Sequence, residues 1–359
     1  MNLLAALASV RIFPGKASHQ TLTTRWGKAL DPQHILEEYP RPQMIRDQYI
    51  NLNGEWNYTV LSEKNTITKE GTLLVPFSPE APLSGAGFQL KPHEKMLCER
   101  LLPVKCLPSD GSRCILHFGA VDQYAKVLVN GKVVVSHIGG YLPFSADITD
   151  ALQEGSNTLT VHIEDRSDTS YHSVGKQKLK RGGMFYTAQS GIWQTVWMEM
   201  VPNEYIKDIR TTPDYDHGQV RMRVRTVSVQ SQSESKNITA IHSNHPCDII
   251  CKIYPPVFLD AEGLTDDLLH DEITSAVLLP GKESAILIPE NAQKSWTPEE
   301  PWLYPYSLEY GEDRVLGYFA LRKCDVQLAD DGYPRLFLNN HPYFQSGILD
   351  QGYWPDGLY

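Results

Sequence analysis

The chain has 359 residues, 41% of them apolar and 21% charged, with a formal net charge of −10. That length exceeds one ordinary sandwich domain and predicts two or three, and the composition is that of a folded protein. The acidic balance argues against a nucleic-acid partner, whose phosphates select basic surfaces, and no apolar run reaches the roughly 18–20 residues that cross a bilayer.

In chain order, "MNLLAALASV" is apolar with no basic residue before it. It reads as the start of an N-terminal arm covering residues 1–45, with a signal peptide as the alternative. The six cysteines, Cys98, Cys106, Cys114, Cys247, Cys251 and Cys324, form no Cys-x-x-Cys pair, and no His stands at zinc-finger spacing. They read as small buried residues, not metal ligands. Cysteine usage leaves the compartment open, with cytoplasm favoured over secretion.

Residues 46–202 carry a period of two. "NTLTVHIED" sets Leu159, Val161 and Ile163 on one face against Thr158, Thr160, His162 and Glu164 on the other. That is the alternation of a half-buried antiparallel strand. "GIWQTVWMEMV" repeats it, with Val196, Met198 and Met200 opposite Trp197 and Glu199. In "AKVLVNGKVVVSH", Asn130-Gly131 separates two β-branched runs and predicts a hairpin, because both residues accept the positive φ of a type I′ turn. Turn signals recur at Asn53-Gly54, Ser109-Asp110-Gly111, Gly139-Gly140 and Gly155-Ser156. Such spacing predicts a sandwich or jelly roll. The one helical hint, "DITDALQEG", extends a turn or two before Gly155 stops it.

Around Pro202 a second set of strands begins, filling residues 203–325 with "QVRMRVRTVSV", "CDIICKIY", "SAVLL", "SAILIPE", "YSLEY" and "VLGYFALRK". This is the size of an immunoglobulin-like sandwich, and it reads as a spacer. Residues 326–359 predict a short hairpin at Asn339-Asn340, then a strand, then a loop. So short a segment buries too little surface to fold by itself.

The order "LNGEWNY", "LHFGAVDQYAKVLVNGKVVVSHIGGYLPFSADIT", "NTLTVHIED", "SGIWQTVWME", "PWLYPYSL", "LFLNNHPYFQSGILDQGYWPDG" resembles the front of glycoside hydrolase family 2, the β-galactosidase, β-glucuronidase and β-mannosidase group. The resemblance covers nearly the whole chain from about Arg25. It implies an all-β chain: a jelly-roll sugar-binding-like domain, an immunoglobulin-like sandwich, then the first strand of a truncated (β/α)8 barrel. A complete barrel takes about 250 residues. It implies retaining hydrolysis of β-glycosidic bonds by two carboxylates roughly 5–5.5 Å apart. In the family these are glutamates on later barrel strands, the acid/base one inside an Asn-Glu pair. Asn203-Glu204 is the only such pair here, at the junction of the two sandwiches, and reads as linker. No catalytic residue, metal ligand or cofactor site is assigned, and the 359 residues alone are expected to be inactive.

Sugar-contacting candidates come from two places. Barrel sites lie at the C-terminal ends of strands, which nominates Asp350, Gln351, Tyr353, Trp354 and Asp356. Carboxylates and amides bond hydroxyl pairs, and aromatic rings cover pyranose C–H faces. The alternative is that Trp354-Pro355 packs the loop and Asp356-Gly357 turns it. The second place is "SYHSVGKQKLKRGGMFYTAQSG", the loop that in this family reaches toward the barrel. Galactosidase- and glucuronidase-type members carry an Asp five residues before the small residue of "SGI"; here that position is Phe185. Tyr186 and Arg181 are the substitutes, against a loop that packs only on its own sandwich, and the basic run reads as a solvated loop. Asn57-Tyr58-Thr59 and Asn237-Ile238-Thr239 match the glycosylation pattern. The expected partner is a carbohydrate, with self-association through uncovered apolar surface. The competing functions are a non-catalytic carbohydrate-binding sandwich and a structural spacer.

Overall fold

A computed structural model describes residues 22–103, 112–229, 248–259 and 263–358. Cys106, Cys247, the Ser109-Asp110-Gly111 turn, the sequon at Asn237 and the opening apolar run lie outside the described residues. The chain is all-β in character.

The first sandwich apposes two sheets. One runs in the order Ile67–Val75, Gly54–Leu61, Lys95–Leu102, Asn157–Glu164, Tyr124–Val129, Lys132–Ile138; the other in the order Tyr49–Asn51, Val196–Pro202, Ser112–Phe118, Phe144–Asp147. Their facing side chains form one core: Trp56, Met96, Val127, Leu159 and Val161 from the larger sheet meet Leu116, Phe118, Val196 and Met198 from the smaller. Leu159, Val161 and Ile163 are fully buried, as the alternation predicts. The hairpin at Asn130-Gly131 forms with φ of 51° and 77°, and Val129 pairs with Lys132 across it. The helical hint condenses to a single 3-10 turn, Thr149–Ala151.

The second sandwich pairs the sheet Glu204–Asp214, Gln219–Ser228, Glu283–Leu287 with the sheet Thr274–Leu278, Ile249–Ile253, Tyr304–Tyr310, Asp313–Phe319. Its core is led by Val220, Met222, Ile286, Tyr304, Tyr306 and Phe319. Beyond it lies a small sheet of Cys324–Leu328, Pro334–Leu338 and His341–Pro342. The turn expected at Asn339-Asn340 is there, with φ of 51° and 65°.

The structure corrects three expectations. The strand expected after that hairpin is missing: residues 343–353 carry no strand, and Phe344, Ile348 and Leu349 are exposed. A strand needs a neighbour for its N–H and C=O groups, and no described segment offers one there. Val196–Pro202 is not half-buried, because Trp197 and Glu199 on its outer face are nearly as covered as Met198 on its inner one. The cover is the N-terminal segment, in which Met44 joins the second core, Ile45 bridges to Leu316, and Tyr49–Asn51 pairs with the strand itself. Cys98, Cys114 and Cys251 are buried, whereas Cys324 is exposed at the start of its strand.

The same N-terminal segment carries a helix that the periodicity did not suggest, Arg25–Ala29, capped by Thr24, whose hydroxyl accepts the Gly27 N–H at 2.9 Å. At five residues it is too short to persist alone.

Candidate functional site

Two of the sequence-nominated segments meet. The loop "SVGKQKLKRGGMFYTAQSG" folds back on itself, and Gln177–Lys178 pairs in parallel with Tyr186–Thr187. The reversal sits at Gly182 and Gly183, with φ of 144° and 58°, a backbone that a side chain would strain. Gln177 anchors its base, accepting the Gln189 N–H at 2.7 Å and donating to the Tyr141 hydroxyl at 3.2 Å.

Held this way, Tyr186 reaches the C-terminal segment. Its ring stacks on Tyr353 with centroids 4.5 Å apart and planes 18° from parallel. Its hydroxyl donates to Gln351 Oε1 at 2.6 Å, and Lys176 Nζ approaches the same oxygen at 3.4 Å. Tyr353 donates its hydroxyl to the Thr187 carbonyl. Arg181 donates to Thr187 Oγ1 at 2.8 Å from an exposed position. Tyr186, Arg181, Gln351 and Tyr353, drawn from two distant stretches of sequence, thus line one rim.

The remaining three candidates behave differently from one another. Asp350 is exposed, and its Oδ1 accepts the Gly352 N–H at 2.8 Å. Trp354 is half exposed and stands edge-on to Trp26, centroids 5.6 Å apart, with the Arg25 guanidinium over the Trp26 ring. Asp356 is buried: its Oδ2 accepts from Thr24 N at 2.6 Å and from Thr24 Oγ1 at 2.8 Å, and its carbonyl accepts from Leu83 N. Burial works against its ionisation, yet the bonds from Thr24 and from Gly357 N hold the carboxyl below its ordinary value. The loop is therefore fastened at Asp356 and presents Gln351 and Tyr353 from that anchor.

Phe185, five residues before Ser190, lies under the Lys178 ammonium, 4.1 Å from the ring centroid. No carboxylate is supplied from that position.

Behind the rim the first sandwich holds three acids that the sequence did not single out, Asp122 and Asp165 buried and Glu80 half-buried. Glu80 accepts from Ser190 N, Ser190 Oγ, Leu90 N and Gln89 Nε2, and burial pushes its carboxyl up to about 7. Asp122 is pushed up to about 8, by burial first and then by the nearby charges of Asp165 and Glu80. Asp165 is pushed up to about 6 by burial. A Cβ on Gly140 would collide with the Asp122 carboxylate, so that glycine makes room for the acid. No local pattern marks such residues, because burial of a carboxylate is a property of the assembled sheets.

A family model described as "Glycosyl hydrolases family 2, sugar binding domain" matches residues 101–202, within this first sandwich. The chain is 26% identical to a β-galactosidase of Thermoanaerobacter pseudethanolicus over 243 residues, 66% of this chain and 29% of that enzyme. It is 33% identical to the β-glucuronidase of Sus scrofa over 135 residues, 33% of this chain and 21% of that one. Among solved structures it resembles the apo β-glucuronidase of Ruminococcus gnavus, with a TM-score of 0.59 at 18% identity, covering 87% of this chain and 51% of that one. A β-glucuronidase from an uncultured Clostridium sp. gives 0.56 at 21% identity, covering 84% and 49%. The matches span under a third of those curated relatives and about half of those solved chains.

Proposed function

We propose, from the premise that the chain belongs to glycoside hydrolase family 2, that it forms the sugar-binding and sandwich portion of a retaining β-glycosidase. Residues 326–359 lead into the (β/α)8 barrel of the whole protein, where two carboxylates perform the hydrolysis. This chain contributes contacts, not the reacting groups. Tyr186, Arg181, Asp350, Gln351, Tyr353 and Trp354 line the mouth on the substrate side, and Asp356 holds their loop in place.

One observation carries this reading: the Tyr186–Gln351 bond, stacked on Tyr353, joins a loop of the first sandwich to the C-terminal segment across 165 residues. Such a joint pre-positions an amide and two aromatic faces at one edge. Fixed groups of this kind are what orient a sugar, because little further ordering is needed on binding. The substrate class, β-glycosides, is supported by the relatives, which are named as β-galactosidases and β-glucuronidases.

The test has two arms. The 359-residue chain is offered aryl β-galactoside and aryl β-glucuronide, and the protein from the whole reading frame is offered the same pair. Hydrolysis by the second alone, weakened by Gln351→Ala, is the expected result. Turnover by the 359 residues unaided, or a folded whole protein inert on every aryl β-glycoside, overturns it.

A further inference from the structure

The outer face of the six-stranded sheet carries a groove of about 460 Å³, within the roughly 300–1,000 Å³ typical of ligand sites. The strand registers explain its lining. His162 lies directly opposite Leu97 on one neighbour and Lys126 on the other. Two residues along, Glu164 lies opposite Tyr124, with Lys95 Nζ 3.7 Å from its carboxylate. Arg166 closes the end, its guanidinium 5.6 Å from the Tyr124 ring centroid.

Lys95, Lys126 and Arg166 set three cations against Glu164 in a chain whose net charge is −10. Lys126 and Arg166 have no ion-pair partner among the described residues. The positive potential is felt by His162, which is held below its ordinary value by burial and then by Lys126 and Lys95. Beside the groove Tyr171 is 91% exposed and stacks on His172, centroids 4.4 Å apart. His172 Nε2 is bonded to the Tyr124 hydroxyl at 2.6 Å, which fixes that ring pair to the sheet. A rigid exposed aromatic face next to unpaired cations matches a sugar ring bearing an anionic group.

We infer that this groove is a second glycan site, separate from the rim at Tyr186, and that it takes a polyuronate strand, with one carboxylate per sugar. Glu164 in the middle of the lining decides against a more densely charged ligand, because it limits the excess to two positive charges. Tyr171 covers a pyranose C–H face while Lys126 and Arg166 receive carboxylates. The inference does not depend on the hydrolytic reading.

Isothermal titration of the 359-residue chain with an oligogalacturonate tests it, with a dextran oligosaccharide as the neutral control. Binding to the first only is expected, weakening as salt rises. Lys126→Glu and Tyr171→Ala, both at exposed positions, each reduce the affinity about tenfold, roughly 1.4 kcal/mol, without changing Tm. No binding, equal binding of dextran, tighter binding of a sulfated glycan, or unchanged affinity in both variants would overturn the inference. Loss of binding in Tyr186→Phe would place the ligand at the rim and overturn it as well.

Discussion

Arg46 and Asp313 lie 267 residues apart and meet in a bidentate pair, Nε to Oδ1 at 2.9 Å and Nη2 to Oδ2 at 2.8 Å. The same guanidinium donates to Glu199 Oε2 at 2.6 Å and to the Ile206 carbonyl at 2.6 Å. One side chain from the N-terminal segment thereby ties the last strand of the first sandwich to the second sandwich. Arg41, Tyr39 and Trp197 Nε1 donate to the other Glu199 oxygen, Oε1.

Removing Arg46 leaves the buried Asp313 without a cation among the described residues, while Glu199 keeps Arg41. Arg46→Met is expected to cost about 3–5 kcal/mol, since the loss of one partner strands the Asp313 charge away from water. Urea denaturation of the variant checks this; a midpoint matching the parent protein would refute it.

The same network predicts acid sensitivity. Burial alone would push Glu199 up, but the His117 imidazole at 3.6 Å and the Arg41 and Arg46 guanidinium groups overcome it and hold the carboxyl well below its ordinary value. A depressed folded value means stability is present above the unfolded value and lost as pH falls through the folded one. Glu199→Gln should therefore lie below the parent in stability at neutral pH and converge on it at low pH, as read from denaturation midpoints.

Asp122 works in the opposite direction. Its carboxyl is raised to about 8 by burial and by the charges of Asp165 and Glu80, so the folded state holds its proton more tightly than the unfolded one. Its contribution is complete below the unfolded value of roughly 4 and is lost as pH rises through about 8. Asp122→Asn is expected to become more stable than the parent between pH 5 and pH 9, by a few kcal/mol, on the order of one per unit of pH crossed. Denaturation at the two ends of that window measures it; a constant difference would contradict the assignment.

The anchor of the C-terminal loop is testable at Gly27. A Cβ there would run into the Asp356 carboxylate, so Gly27→Ala should detach Asp356 from Thr24. Loss of that contact is worth about 1.5–3 kcal/mol, the range of a hydrogen bond to a charged group. Trp354 should then become more accessible to a fluorescence quencher, whereas unaltered quenching would show the loop held by other contacts.

Phe344, Ile348 and Leu349 stand almost wholly in solvent, with Val326 and Leu328 exposed on the small sheet. Exposed apolar area favours association. Light scattering of the 359-residue chain is expected to give a mass that rises with concentration, and Ile348→Lys should lower it. A clean monomer at high concentration would refute this expectation.

The sequence by itself determined the features that local pattern sets. Period-two alternation put Leu159, Val161 and Ile163 inward, and Asn130-Gly131 and Asn339-Asn340 placed their turns, because pleat and positive φ are decided within a few residues. It also nominated Tyr186 and Gln351 separately. Only the tertiary structure decided that these two bond to each other, that Asp356 serves the Thr24 cap, and that Glu199, on the apparent solvent face of its strand, is covered by Arg41 and Arg46. The physical reason is one of range. Alternation reports which way a side chain points, whereas burial, charge pairing and shifted acidity depend on what another part of the chain lays over it.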